Sequence, residues 1–275
     1  MVTKFEELAS LLRFSGDPVS TGGDGAWGAV FQRLGRRLPL DYLQFVSRYG
    51  YCAIDNFYLL MLNPFEESGR FWSDLERERA IDREDVDVFE SDDPEVMFPR
   101  PKGMIPWGST DDGGSLLWLA DDGDPDDWSV FQESEISGMR FPGGMEDFLV
   151  ASLRGDTVGL ALGSGFPSSC PTYVDPVVPL VSAAVTFSRD LEWDAQALTA
   201  LETAFSTATR SRHNSLVKRP GGWIVSWWAS TLQVGVPPPD EAEAKQRVAE
   251  LASALGVSIA AATPDDWADI VDGSR

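Results

Sequence analysis

Asp122, Asp124, Asp126 and Glu133 occupy positions 1, 3, 5 and 12 of a twelve-residue stretch, the spacing at which carboxylates cage calcium in an EF-hand loop. Hard oxygen donors at alternate positions suit that ion. Position 6, which turns sharply and favours glycine, is Asp127 here, and Pro125 stiffens the loop. The flanks alternate as strands, not helices. In a chain with 44 acidic residues such a match is expected by chance, so no metal and no other cofactor is assigned. Nucleophilic chemistry finds equally little support. The single histidine, His213, stands at a turn or strand start, and the two cysteines, Cys52 and Cys170, lie far apart, with neither zinc-site nor disulfide-framework spacing. There is no G-x-S-x-G elbow and no phosphate-cradling G-x-x-x-x-G-K-[ST]; Gly163-Ser164-Gly165 runs into Pro167. Paired carboxylates could do acid–base work, but with 44 of them proximity carries little information. The reading is therefore no enzyme, with a carboxylate- or metal-dependent hydrolase kept as the third alternative.

Ten tryptophans offer a different chemistry, a stacking platform for a sugar or peptide. Trp107, Trp118 and Trp128 gather around one proposed hairpin, and Trp223, Trp227 and Trp228 share one strand. Core packing is the competing use, since aromatic side chains bury the most area. Neighbouring strand residues point to opposite faces, so Trp227 and Trp228 cannot both enter one core. The second is expected to be covered by the rest of the chain.

The elements that must position these residues follow from periodicity. Phe5, Leu8, Leu11 and Leu12 make one helix stripe, and Trp27, Val30, Phe31 and Leu34 a second. Ser15–Gly25 is a loop. Pro39 and Asp41 open a helix with Tyr42, Phe45, Val46 and Tyr49 on its buried face, and Gly50 is expected to close it as a left-handed cap. Residues 57–62 read as a covered strand, 68–82 as a helix, and 84–95 as an acidic loop. Ser115–Ala120 and Trp128–Gln132 form a hairpin with the acidic tip 121–127, and Gly144–Leu153 a closing helix. Gly, Ser and Pro make 155–180 a linker. Beyond it come strand 181–188, helix 193–208, strands 213–218, 223–228 and 231–236, helix 239–255, strand 257–261 and a helical turn near the end. The expected domains are 1–154 and 181–275, the latter a small ferredoxin-like α+β unit.

Charge narrows the partners. The chain of 275 residues is 43% hydrophobic, enough for packed cores, and carries a formal net charge of −22. That excludes a nucleic-acid binder, which must neutralise phosphates, and docking on an anionic membrane. Residues 1–154 hold 30 acidic and 14 basic residues, against 14 and 8 beyond, so any electrostatic role belongs to the first part. No apolar run reaches 18 residues and the first residues resemble no signal peptide, so a cytoplasmic location is expected. Arginine outnumbers lysine 18 to 4, a codon bias that points to a GC-rich bacterium.

Leu38-Pro39-Leu40-Asp41-Tyr42, Phe45 and Tyr49-Gly50 resemble the opening signature of the SUKH superfamily (the Smi–Knr family). The order that follows is similar too: Leu62-Asn63-Pro64, a charged helix, Pro106-Trp107-Gly108-x-x-Asp111-x-Gly113-Gly114, Trp118, Trp128-x-Val130 and a helix over Phe141–Leu149. The resemblance covers about 1–154 and leaves the acidic insert at 84–95 and everything after 155 unexplained. It implies an α+β domain, a mixed sheet with flanking helices, without catalytic residues. Bacterial members are mostly immunity proteins that neutralise toxins, often nucleases; eukaryotic members are regulators or scaffolds. Phe45, Tyr49 and Trp107 would be core, Gly50 and Gly114 backbone requirements.

Composition and resemblance together suggest an immunity or interaction protein that occludes a basic toxin, with a scaffold role lacking a toxin as the alternative. The expected binding surface is the tip Asp121, Asp122, Asp124, Asp126 and Asp127 together with Asp85, Asp87, Glu90, Asp92 and Asp93. A merely solvated acidic edge is the competing reading for both segments.

Overall fold

The computed structural model describes residues 3–14, 16–23, 25–54, 59–76, 103–110, 113–134, 137–155, 172–177, 180–206, 208–211, 215–218 and 222–271. The chain divides into two compact units, Met1–Pro176 and Val177–Arg275. Both mix helix and strand, each around its own sheet. Among the described residues no helix is long and apolar enough to cross a membrane.

In the first unit, helix α1 (Lys4–Leu11) starts on a capping box: Thr3 Oγ1 accepts from the Glu6 N–H and Glu6 Oε2 accepts from the Thr3 N–H. It runs straight into strand β1 (Leu12–Phe14). Helices α2 (Ala26–Leu34) and α3 (Leu40–Tyr49) follow, with apolar faces at the expected positions. Strands β2 (Cys52–Ile54) and β3 (Leu59–Met61) precede a helical stretch at 70–76, whose Phe71 and Leu75 are buried. Then come β4 (Gly103–Thr110), β5 (Ser115–Ala120), β6 (Val130–Ser134), β7 (Ser137–Phe141), helix α4 (Met145–Arg154) and β8 (Thr172–Pro176). The sheet order is β1-β8-β2-β3-β4-β5-β6-β7, antiparallel except for the parallel pair β1–β8.

One core joins α1–α4 to this sheet through Leu8, Leu34, Leu38, Tyr42, Phe45, Tyr49, Trp107, Trp118 and Phe148. Burying a side chain of this size stabilises the fold by roughly 1.5–3 kcal/mol before ordering costs. Leu117, one residue from Trp118, packs with Met104 and Phe131 in a separate cluster. Strand alternation sends the two neighbours to opposite faces, and both faces are apolar.

Three expectations need correction. The stretch 155–180 is not a linker throughout, because Thr172–Pro176 is strand β8, inserted between β1 and β2 with Val174 fully buried. Pro176 is its last residue, a position at which a strand tolerates a missing N–H. Gly50 is no left-handed cap: at φ 68°, ψ −146° it lies in a region reserved for glycine. There the Tyr51 N–H donates to Val19 O at 2.7 Å, and a Cβ on Gly50 would stand 1.9 Å from that oxygen. Finally, Gly113 (φ 88°), not Gly114, carries the positive φ of the β4–β5 turn.

The second unit contains β9 (Val181–Phe187), α5 (Ala195–Ala204), β10 (Thr209–Ser211), β11 (Ser215–Lys218), β12 (Trp223–Trp228), β13 (Thr231–Val236), α6 (Glu241–Leu255), β14 (Ile259–Thr263) and a 3-10 turn, Asp265–Ile270. Every strand pair is antiparallel, in the order β10-β11-β12-β13-β9-β14. Asp194 Oδ1 caps α5 by accepting from the Gln196 and Ala197 N–H groups, both at 2.9 Å. Trp223, Trp227 and Trp267 enter this unit's core. Trp228, expected to be covered, is 50% exposed among the described residues.

Candidate partner-binding surface

The hairpin β5–β6 places its acidic tip by local turn chemistry. Asp121 Oδ1 accepts from the Gly123 N–H at 2.8 Å, and Asp124 caps a single 3-10 turn at Pro125–Asp127 by accepting from the Asp126 N–H at 3.1 Å. These side chains fold back onto their own backbone, as aspartates in turns do.

A clamp then fixes the tip to the α2–α3 junction. Arg37 meets Asp126 bidentately, Nη1 to Oδ1 and Nη2 to Oδ2, both at 2.9 Å, and also reaches Asp124. Asp126 Oδ1 accepts in addition from the Leu40 N–H at 2.6 Å, the first amide of α3. Arg36 donates to the Asp121 carbonyl at 2.9 Å and lies over the Trp128 ring. The Arg37 guanidinium holds the Asp126 carboxyl below the usual carboxylate range, and Asp126 in turn raises Arg37.

Of the five tip acids expected to meet a partner, Asp124 and Asp126 are thus occupied by Arg37, and Asp121 holds its own turn. Asp122 and Asp127 are exposed, and among the described residues no hydrogen bond or ion pair engages their side chains. Leu40, whose N–H is bound to Asp126, is 51% exposed, a large apolar side chain beside an acidic projection. Sequence reasoning missed both Arg37 and Leu40. Leu40 was visible in principle, lying outside the Tyr42–Phe45–Tyr49 face. Asp85, Asp87, Glu90, Asp92 and Asp93 lie outside the described residues.

The calcium spacing does not assemble. Asp124 and Asp126 face a guanidinium, and Glu133 lies within β6 opposite Ser115, away from the turn. Among the described residues no group of three His, Cys, Asp or Glu side chains could hold a metal ion. Burial pushes the Cys52 thiol far up, away from nucleophilic use. His213 and Cys170 lie outside the described residues. Trp107, Trp118 and Trp128 are buried and offer no platform.

A second polar constellation, Asp41 with Glu146, joins the start of α3 to the start of α4. The N-cap of α4 is Gly144, which has no side chain to offer. Asp41 supplies the acceptor from another helix: Oδ2 takes the Glu146 N–H at 3.1 Å and Oδ1 its neighbouring Tyr42 N–H at 2.7 Å. A Cβ on Gly144 would come 3.2 Å from Asp41 Oδ2, so the glycine leaves room for that approach. Burial raises Asp41, opposed by these N–H bonds. Burial first, and then Asp41, pushes Glu146 up to about 7.

No family model, no curated protein and no solved structure matches the chain.

Proposed function

We propose that the chain is a non-enzymatic interaction protein that neutralises a basic bacterial toxin by occlusion, using the β5–β6 tip and Leu40. The observation that carries this reading is the clamp: Arg37, Asp126 and the Leu40 amide hold an acidic tip and a half-exposed leucine in one fixed arrangement. Preorganised surfaces lose little entropy on binding, and an apolar anchor with charged neighbours is the usual anatomy of a protein contact. Asp122 and Asp127 remain available to steer a cationic surface.

The SUKH resemblance adds support. Leu38, Tyr42, Phe45, Tyr49 and Trp107 are all buried, as its structural motif residues would be. In the second unit, the run β12-β13-β9-β14 with α5 and α6 between strands supports a ferredoxin-like core extended by β10 and β11.

The test is association with the product of a toxin gene lying directly upstream. Its rate should fall steeply once salt shortens the screening length to about 8 Å. Asp122→Lys with Asp127→Lys should slow association, and Leu40→Ser should hasten dissociation, all with Tm unchanged. Association indifferent to salt and to all three substitutions refutes this surface.

A further inference from the structure

We propose that the contact between α3 and the N-terminus of α4 is a proton-operated latch, closed while Glu146 is neutral and loosened when it ionises. Glu146 is only 9% exposed, and its Oε1 has no hydrogen-bond partner among the described residues. When the carboxylate ionises, that oxygen gives up hydration and gains no bond in exchange.

Its neighbours decide where the proton sits. Asp41 faces it from α3 with two N–H bonds to its carboxylate and the positive end of the α4 dipole beside it. Glu146, in the first turn of α4, shares that dipole, but its buried Oε1 has no such bond, so Asp41 keeps the charge and Glu146 takes the proton. Asp147, next on α4, adds a second negative charge. From α1, Lys4 pulls the other way, but it is engaged in an ion pair with Asp147. The other α1 charge at this contact, Glu7, is tied to Arg154 at 2.5 Å. Asp126 at the hairpin tip acts on Asp41 and reinforces the negative field.

Burial, and then Asp41, pushes Glu146 up to about 7 in the fold against roughly 4.3 for an ordinary glutamate. A raised acid stabilises the folded state fully below its ordinary value, and that contribution is lost as pH rises through about 7. At higher pH two carboxylates oppose each other where α3 caps α4, and the Asp41 bond to the Glu146 amide weakens.

Carboxyl ¹³C NMR of the full chain, combined with hydrogen exchange at the Tyr42 and Glu146 amides, tests this. Glu146 should titrate with a midpoint near 7. Exchange of both amides, corrected for intrinsic pH dependence, should rise about tenfold between about pH 5.5 and 8.5. The rise should vanish in Glu146→Gln, which keeps the shape without the charge. A midpoint near 4, or a rise that persists in Glu146→Gln, overturns the latch. Where that variant does not fold, the native chain decides alone: a step in exchange centred near 7 supports the latch, and a flat profile overturns it.

Discussion

Asp126 bonds two nitrogens of Arg37 and the first amide of α3, yet its side chain is 42% exposed and that of Arg37 37%. Solvent screening at such exposure limits the pair to about 0.5–1 kcal/mol. Arg37→Ala and Asp126→Asn should each cost about that much in urea unfolding, and the double variant should cost little more than either. Additive losses would mean that the two side chains are not coupled. Because the Asp126 carboxyl is depressed in the fold, its contribution is complete above the ordinary value of about 3.9 and disappears as pH falls through the depressed one. Two glycines allow a cleaner comparison. Gly50→Ala meets both a positive φ and the Val19 carbonyl at 1.9 Å, whereas Gly113→Ala meets a positive φ with nothing within 4 Å. Thermal melts should show a loss of about 1 kcal/mol for Gly113→Ala and well over twice that for Gly50→Ala. Equal losses would show that the Val19 approach relaxes freely.

Strand β8 decides how the first unit can be cut. It lies between β1 and β2 and pairs with both. A chain ending at residue 176 should melt cooperatively, while one ending at 154 leaves β1 and β2 unpaired on that side and should melt lower and less sharply. Identical melts would show that β8 adds nothing to the sheet. This strand was illegible in the sequence because five residues, Thr-Tyr-Val-Asp-Pro, disappear within a stretch dense in Gly, Ser and Pro. The three-residue strands β1 and β2 escaped for a related reason, being too short to display alternation. The long periodic elements α3, β5, β12, β13 and α6 were legible within a few residues, since burial of one stripe or face is what makes them. The candidate surface was half legible. An acidic hairpin tip can be read locally, but Arg37 lies 89 residues before Asp126, and Asp41 lies 105 before Glu146. No local pattern announces a contact made only by the packing of separate elements.

The net charge of −22 acts on the molecule as a whole. Like charges repel in the compact state more than in the expanded one, so raising NaCl from about 10 to 150 mM should raise Tm modestly as the screening length shortens. An unchanged Tm would mean that the charge is spread too thinly to strain the fold. The parallel pair Leu12↔Thr172 has a consequence in time as well as in space. A growing polypeptide emerges N-terminus first, so β1 and β2 wait for most of the first unit to be synthesised before β8 arrives between them. Closing so long a loop is entropically slow. Until it closes, two strands present bare backbone to the crowded cell. A slowed ribosome over residues 84–171 would lengthen that vulnerable interval, and chaperone dependence should grow with it.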